Sequence, residues 1–424
     1  MMISKEQFSS VDGVLKKLAM RGRIARRLTV MAAAVTIGAI MTAGPTDAST
    51  STFWSGTASN DFSDSANWTF GVPSESNGYI GRINTVAPNA ADVLSNETVS
   101  VYTLALGTNA ASGSLTIDGT LNIAQPTTSN NSNALSIGAN PYTGSGAENY
   151  KSLTLDSGGY LNLDSHSEMR LGNGGMAEFN QIGGQATFGN NVEMGVTATT
   201  NPSVAKYNME NGYATFDSKL GIAKGNDALF NQSGGTVDVK GAIVLGEGNT
   251  SGIYGKGTYQ ISGGTLNAED GIVTGSTNVG EFAVDGSAAS AISTKELVLS
   301  AIGSVLKFGL DANGSTLIND GGNLTLDSGT ILDINSLAGF TGSGNVAGDP
   351  GWYRLASVAG TLTDTGITLR SDTGLNYALV NDPGYLTVQV TAVPDPGSLS
   401  LLGGGVMCLL GLALLRGSKH NPSR

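Results

Sequence analysis

Apolar and polar residues alternate along this chain in short bursts of period two, and the bursts recur in register. Phe179, Tyr207, Phe230 and Tyr259 serve as anchors, spaced 28, 23 and 29 residues apart. Two residues after each stands Gln181, Met209, Gln232 or Ile261. Next come the corner pairs Gly183-Gly184, Asn211-Gly212, Gly234-Gly235 and Gly263-Gly264. A second burst follows at Ala186/Phe188, Ala214/Phe216, Val237/Val239 and Leu266/Ala268, and a third at Val192/Met194, Leu220/Ile222, Ile243/Leu245 and Ile272/Thr274. A small residue closes each unit, at Gly195, Ala223, Gly246 and Gly275.

Three alternating stretches per unit, each too short to be stable alone, predict strands that stack on their equivalents in the next unit. The fold class is therefore all-β: a parallel β-helix, or β-solenoid, with about 23–29 residues per three-strand coil. The anchors should stack about 5 Å apart along one inward column, the spacing between paired strands. Asn180, Asn208, Asn231 and Gln260 should form an outward amide ladder, because adjacent strand residues face opposite sides. The corner pairs predict positive φ, with Asn211 as the one non-glycine residue there that tolerates it. Unequal anchor spacings predict loops bulging from one corner. The pattern extends upstream through Leu115/Ile117, Leu121/Ile123, Leu153/Leu155 and Leu161/Leu163, and downstream through Phe282/Val284 and Leu297/Leu299 to Leu332/Ile334. This divides the chain into a signal segment 1–48, an N-terminal β cap 49–98, solenoid repeats 99–345, a C-terminal β cap 346–392 and a tail 393–424. Propeller blades need units of about 40–50 residues, and calcium-binding glycine-rich nonapeptides are absent from the sequence. The flavour of Tyr259–Leu266 resembles repeats of secreted β-helical, autotransporter-like passenger proteins.

Composition narrows the class. Glycine supplies 61 of 424 residues, about twice the usual ~7%. Charged residues are 13% and apolar residues 40%, which is not the high-charge, low-hydrophobicity signature of disorder. Between Ser49 and Ala392 there are 12 cations and 30 anions, a net charge of −18. Such a body repels nucleic acid and lacks a polybasic membrane-surface patch. The single cysteine, Cys408, excludes an internal disulfide framework.

Both ends read as address labels. Lys16, Lys17, Arg21, Arg23, Arg26 and Arg27 precede an apolar run from Leu28 to Ala43, then Gly44-Pro45 and Thr46-Asp47-Ala48. Basic, apolar and small-residue segments in that order predict a secretory signal helix cleaved between Ala48 and Ser49. Near the other end, Leu399–Leu415 is an apolar segment followed by Arg416, Lys419 and Arg424. Seventeen residues at ~1.5 Å each reach about 26 Å, enough for a transmembrane helix in a thin bilayer, and the cations beyond it would stop the tail on the cytoplasmic side. Before it stands Val393-Pro394-Asp395-Pro396, whose prolines forbid helix and strand.

This tail resembles the PEP-CTERM sorting signal of Gram-negative bacteria over about 30 residues, with Asp395 where that family usually carries Glu. The resemblance implies an exosortase-type processing enzyme as partner, acting near Val393, Pro394, Asp395 and Pro396. It also implies an inner-membrane-anchored precursor, later delivery to the cell surface or extracellular matrix, and association with exopolysaccharide.

Candidate chemistry is sparse. His166, the only histidine of the body, lies in the Ser-rich turn Asp164-Ser165-His166-Ser167, with no nucleophile marked for it. The body holds four arginines: Arg82, Arg170, Arg354 and Arg370. The outward row Thr187, Thr215, Asp238, Asn267 holds one carboxylate. Trp54 and Trp68, near Asp61 and Asp64, either plug the open end of the apolar column or stack a sugar. No catalytic, cofactor-binding or metal-binding residue is assigned. The expected function is an exported, non-enzymatic structural protein of the surface or matrix. Two alternatives are a glycan-binding adhesin-like module and a carbohydrate-active enzyme such as a polysaccharide lyase or glycosidase, since β-helices also host those chemistries.

Overall fold

The computed structural model describes residues 50–108, 112–125, 131–138, 151–196, 204–248, 255–275, 278–342, 344–371 and 375–392. The signal segment with its Ala48–Ser49 junction, the motif Val393-Pro394-Asp395-Pro396, the apolar tail and Arg416, Lys419 and Arg424 lie outside the described residues. No helix of the described residues is long and apolar enough to cross a membrane. Helix among them is confined to the single 3-10 turn Ser65–Asn67.

The predicted parallel β-solenoid is present and has about ten turns. Strands are laid down in threes from Ala91–Val93, Thr98–Val101 and Thr103–Leu106 to Ile331–Ser336, Trp352–Val358 and Leu362–Asp364. Every third strand joins the same sheet, giving three faces. The first face carries the anchor strands Ala177–Gln181, Ala205–Met209, Ala228–Gln232 and Gly257–Ile261. The second carries Gln185–Phe188, Tyr213–Phe216, Thr236–Val239 and Gly264–Ala268. The third carries Val192–Met194, Leu220–Ile222, Ile243–Leu245 and Ile272–Thr274. Pairing along each face is parallel and in the expected register, with Phe179 opposite Tyr207, Tyr207 opposite Phe230, and Phe230 opposite Tyr259.

In-register stacking is what makes such short strands stable. It satisfies backbone N–H and C=O groups from the coils above and below while each inward side chain enters a shared column. Ring centroids of Phe179–Tyr207, Tyr207–Phe230 and Phe230–Tyr259 lie 4.5, 4.4 and 4.7 Å apart. Phe282 extends the column, 5.8 Å from Tyr259. All five rings are fully buried, each contributing roughly 1.5–3 kcal/mol by burial alone. A second ring stack, Phe188 on Phe216 at 4.8 Å, rises from the second face.

The corners explain the uneven anchor spacing. From Lys151 to Thr274, two to four residues join first face to second, and three join second to third. The corner leading to the next coil holds in turn thirteen, five, ten, five, eleven and five residues. All extra length therefore leaves from one corner, and it alternates. Phenylalanine coils follow short corners and tyrosine coils follow long ones, so the structural repeat is a pair of coils.

Three expectations need correction. Asn211 does not hold the left-handed corner; Gly212 does, at φ 86°, as do Gly184 and Gly235. A Cβ at Gly212 would sit 2.3 Å from the Gly184 carbonyl oxygen, so close coil-to-coil approach adds to the need for glycine. Ala223, the small residue closing its coil, is the only non-glycine residue at positive φ (65°) among the described residues. Second, the solenoid does not stop at 345: Trp352–Val358, Leu362–Asp364 and Thr368–Ser371 continue the three faces in parallel. Only the hairpin of Leu375–Asp382 and Tyr385–Ala392 turns antiparallel, pairing with Trp352–Val358. Third, parallel pairing begins before 99, since Ala91–Val93 pairs with Ser114–Ile117 and Ser51–Phe53 with Ile80–Ile83.

Candidate functional site: the outward faces of the coils

With the column filled by side chains, chemistry is left to the outward positions, the corners and the two ends. At the start of the solenoid, Trp54, Phe62 and Trp68 form a ring cluster with centroids 4.9–6.4 Å apart. Trp68 Nε1 donates to the Phe62 carbonyl at 2.8 Å, and Trp54 Nε1 to that of Asn89 at 2.9 Å. The indoles are only 3% and 5% exposed. They close the apolar column and leave no ring face for a sugar. At the other end, a cleft of about 220 Å³ lies between the last coil and the hairpin, lined by Leu362, Ile367, Leu379, Tyr385 and Leu386 among others. Arg354 braces it. Its Nε donates to Asp382 Oδ2 at 2.8 Å, and its guanidinium carbon sits 3.9 Å from the Tyr385 ring centroid. The Arg354 hydrogen bond, outweighing some desolvation, holds the Asp382 carboxyl below its ordinary range.

In the strand Ala91–Val93, Asp92 stands near Asp118, Glu97, Asp156 and Asp61. Burial first, then these like charges, pushes its pKa up to about 6. Asn60 Nδ2 donates to it at 3.2 Å. Among the described residues no group of three or more His, Cys, Asp or Glu has the geometry to hold a metal ion.

The third face carries a charged network. Glu168, Arg170, Glu193, Lys219, Lys224 and Glu247 come from four successive coils. Arg170 bonds Glu168 at 2.9 Å, Lys219 bonds Glu247 at 2.5 Å, and Lys224 bonds Glu193. Burial raises the Glu168 carboxyl pKa, with help from the neighbouring Glu193. Burial also acts on Glu193, but Lys224, Glu168 and Lys219 outweigh it and bring its pKa down. Both carboxyls are held by cations of the network, Glu168 by Arg170 and Glu193 by Lys224, Lys219 and Arg170. The network ties coils together. His166 stays in its turn, its N–H donating to Asp164 Oδ1 at 3.0 Å and its Nδ1 3.3 Å from Ser165 Oγ. The other arginines pair locally, Arg82 with Ser51 and Arg370 with Asp333.

The predicted amide ladder on the first face is in register but is not one continuous chain of hydrogen bonds. Asn208 Nδ2 donates to Asn180 Oδ1 at 2.9 Å and to Glu178 Oε1 at 2.7 Å, while Gln260 Nε2 turns to Asp285 on the following coil. The second face differs in kind. From Thr98–Val101 to Gly264–Ala268 its two outward rows hold Thr, Ser, Asn, Gln and Tyr, with Asp238 as the single charge. Asn162 Nδ2 donates to Asn122 Oδ1 at 3.0 Å, and Asn267 Nδ2 to Asp238 Oδ1 at 2.6 Å. Tyr160 and Tyr213 stand in one of these rows, 44% and 58% exposed. Ile182, 44% exposed, lies at the corner of the coil between them.

Sequence reasoning passed over these tyrosines. The signal was present: each is an aromatic residue at an outward position directly after a glycine corner, where alternation calls for a polar one. It also passed over the role of Gln181 and Gln232. Both are buried and inward. Tyr207 Oη donates to Gln181 Oε1 at 2.6 Å, and Tyr259 Oη to Gln232 Oε1 at 2.7 Å. The amides then donate to the carbonyls of Tyr213 and Thr265, each at 2.9 Å. Burial drives both phenol pKa values well up, so they stay neutral donors. Comparison of the chain with protein-family models, with curated proteins and with solved structures finds no match.

Proposed function

We propose that this chain is an exported, non-enzymatic structural protein of the bacterial cell surface or extracellular matrix, sorted by its C-terminal signal and associated with exopolysaccharide. The observation that carries the reading is the pairing of a side-chain-filled rod with Val393-Pro394-Asp395-Pro396 and the apolar, basic-ended tail. Ten turns at ~4.8 Å make a rod of about 50 Å, a shape suited to spacing and display. The carboxylates of Glu168 and Glu193 are paired with Arg170, Lys219 and Lys224, in a network that links coils.

Sorting is tested in cells. Mature protein should begin at Ser49, and replacing Pro394, Asp395 and Pro396 by alanine should leave unprocessed chain in the inner membrane. Normal surface delivery of that variant would remove the sorting claim, and an exported form still beginning at Met1 would remove the cleaved signal.

A further inference from the structure

The second face combines three features that the other faces lack together. It is nearly uncharged over seven coils in a body whose net charge is −18. Its outward rows present amide and hydroxyl groups, which both donate and accept hydrogen bonds. Two exposed aromatic rings, Tyr160 and Tyr213, stand in one row. Tyr160 is in register with Gln185, and Gln185 with Tyr213, so the two tyrosines are two inter-strand steps apart, roughly 10 Å.

We infer that this face binds an extended, neutral, β-linked polysaccharide lying along the solenoid axis, with Tyr160 and Tyr213 stacking on sugar rings one disaccharide apart. In a chain whose successive sugars are turned by half a revolution, equivalent ring faces recur at that interval. The row Asn162, Thr187, Thr215 runs beside the tyrosines and meets the sugar hydroxyls. Neutrality follows from charge: an acidic glycan would be repelled by the body, whereas a neutral one needs no counterion. The platform is held in advance. Gln181 bonds the Tyr213 carbonyl from inside the column, at 2.9 Å, while accepting from the Tyr207 phenol. Little ordering is then left for binding to drive. The long corners leave between third and first faces, so the second face is flanked by short corners on both sides. Tyr160 and Tyr213 belong to alternate coils, both following long corners.

The inference deepens the matrix reading by naming its partner and rests on that reading for its biological setting. The two fail separately, because sorting is read in cells and binding is read in vitro. Full-length chain in mild detergent is run in native gels cast with hydroxyethyl cellulose, a neutral β-1,4-linked glucan, or with alginate, an acidic one. The wild type should be retarded by the glucan and not by alginate. Tyr160→Ala with Tyr213→Ala should weaken retardation at least tenfold. Tyr160→Phe with Tyr213→Phe should stay within about twofold, since stacking uses the ring face. Asn231→Ala, on the first face, should bind as wild type. The inference is overturned by no glucan retardation of the wild type, by equal retardation of the double alanine variant, or by preference for alginate. It is also overturned if the alanine pair abolishes self-association of a chain that binds no glucan, which would make the face an interface between copies. Both tyrosines are exposed, so circular dichroism should show the variants folded as wild type.

Discussion

The coils from Ala177 to Asp285 and those flanking them solve the same packing problem with different side chains. In the central coils the first-face column holds a ring in every coil, and the inward position two residues earlier shrinks to Ala177, Ala205, Ala228, Gly257 or Gly280. In flanking coils the column is mostly aliphatic, as with Leu115/Ile117, Leu153/Leu155 and Leu332/Ile334, all fully buried. The cross-section must be filled at near-crystalline density either way. Rings do it with partners. Phe230 lies 4.4 Å from Tyr207 and 4.7 Å from Tyr259, nearly parallel to the latter at 7°. Phe308, by contrast, is paired with Val284 and Ile334. The central coils thus tolerate less change.

The largest break in this comparison is Phe230→Asp. A carboxylate at the centre of the ring column has no partner, and burying it costs several kcal/mol. The chain should lose cooperative unfolding and become protease-sensitive in the central coils, while Asn231→Ala, one residue away and outward, should change stability by less than about 0.5 kcal/mol. Chemical denaturation reads both.

A subtler break uses the same substitution in both regions. Phe230→Leu removes two stacked ring pairs, each worth about 0.5–1.5 kcal/mol beyond its buried area. Phe308→Leu removes a ring stacked on none of its in-register neighbours. The first should therefore be more destabilising by roughly 1–3 kcal/mol; equal losses would deny the central stack any special weight.

The buried phenol–amide bridge gives a third test. Tyr259→Phe leaves Gln232 Oε1 without its donor and should cost about 1–3 kcal/mol. Adding Gln232→Met should recover only part of that loss, because it removes the undonated amide oxygen but takes the donor from the Thr265 carbonyl.

The smallest effect lies in the first coil, at Asp92. The folded-state pKa of Asp92, raised to about 6, favours the neutral form. Its burden is absent below the unfolded value near 3.8 and grows as pH rises toward 6. Asp92→Asn should raise the melting temperature at pH 7–8 and leave it unchanged below about pH 4, with screening by solvent keeping the gain modest.

Much of the solenoid was legible because period-two alternation and a repeating register are both local properties of the chain. Phe179, Tyr207, Phe230 and Tyr259 announce their column directly. The end of the solenoid was not legible: Leu362–Asp364 and Thr368–Ser371 are largely exposed, so no apolar alternation marks them, and a long connection after Ser336 breaks the spacing. Asn211 misled because tolerance of positive φ identifies a candidate residue, while backbone crowding decides which neighbour must take it. Gln181 and Gln232 were visible as inward positions, yet their partners sit one coil away, at a distance that alternation does not encode. The tyrosines of the second face were hidden by the habit of assigning aromatic residues to the core.

Coil-by-coil stacking is the claim on which the rest depends, and distance measurement between spin labels tests it most directly. With Cys408 replaced by serine, labels go on outward second-face positions, one at Asn122 and the other at Asn162, Thr187, Thr215, Asp238 or Asn267 in turn. The fold predicts narrow distributions whose centres advance by ~4.8 Å per coil, reaching a backbone separation of roughly 24 Å for the Asn122–Asn267 pair. Distances that fail to advance in equal steps along this series would contradict the solenoid.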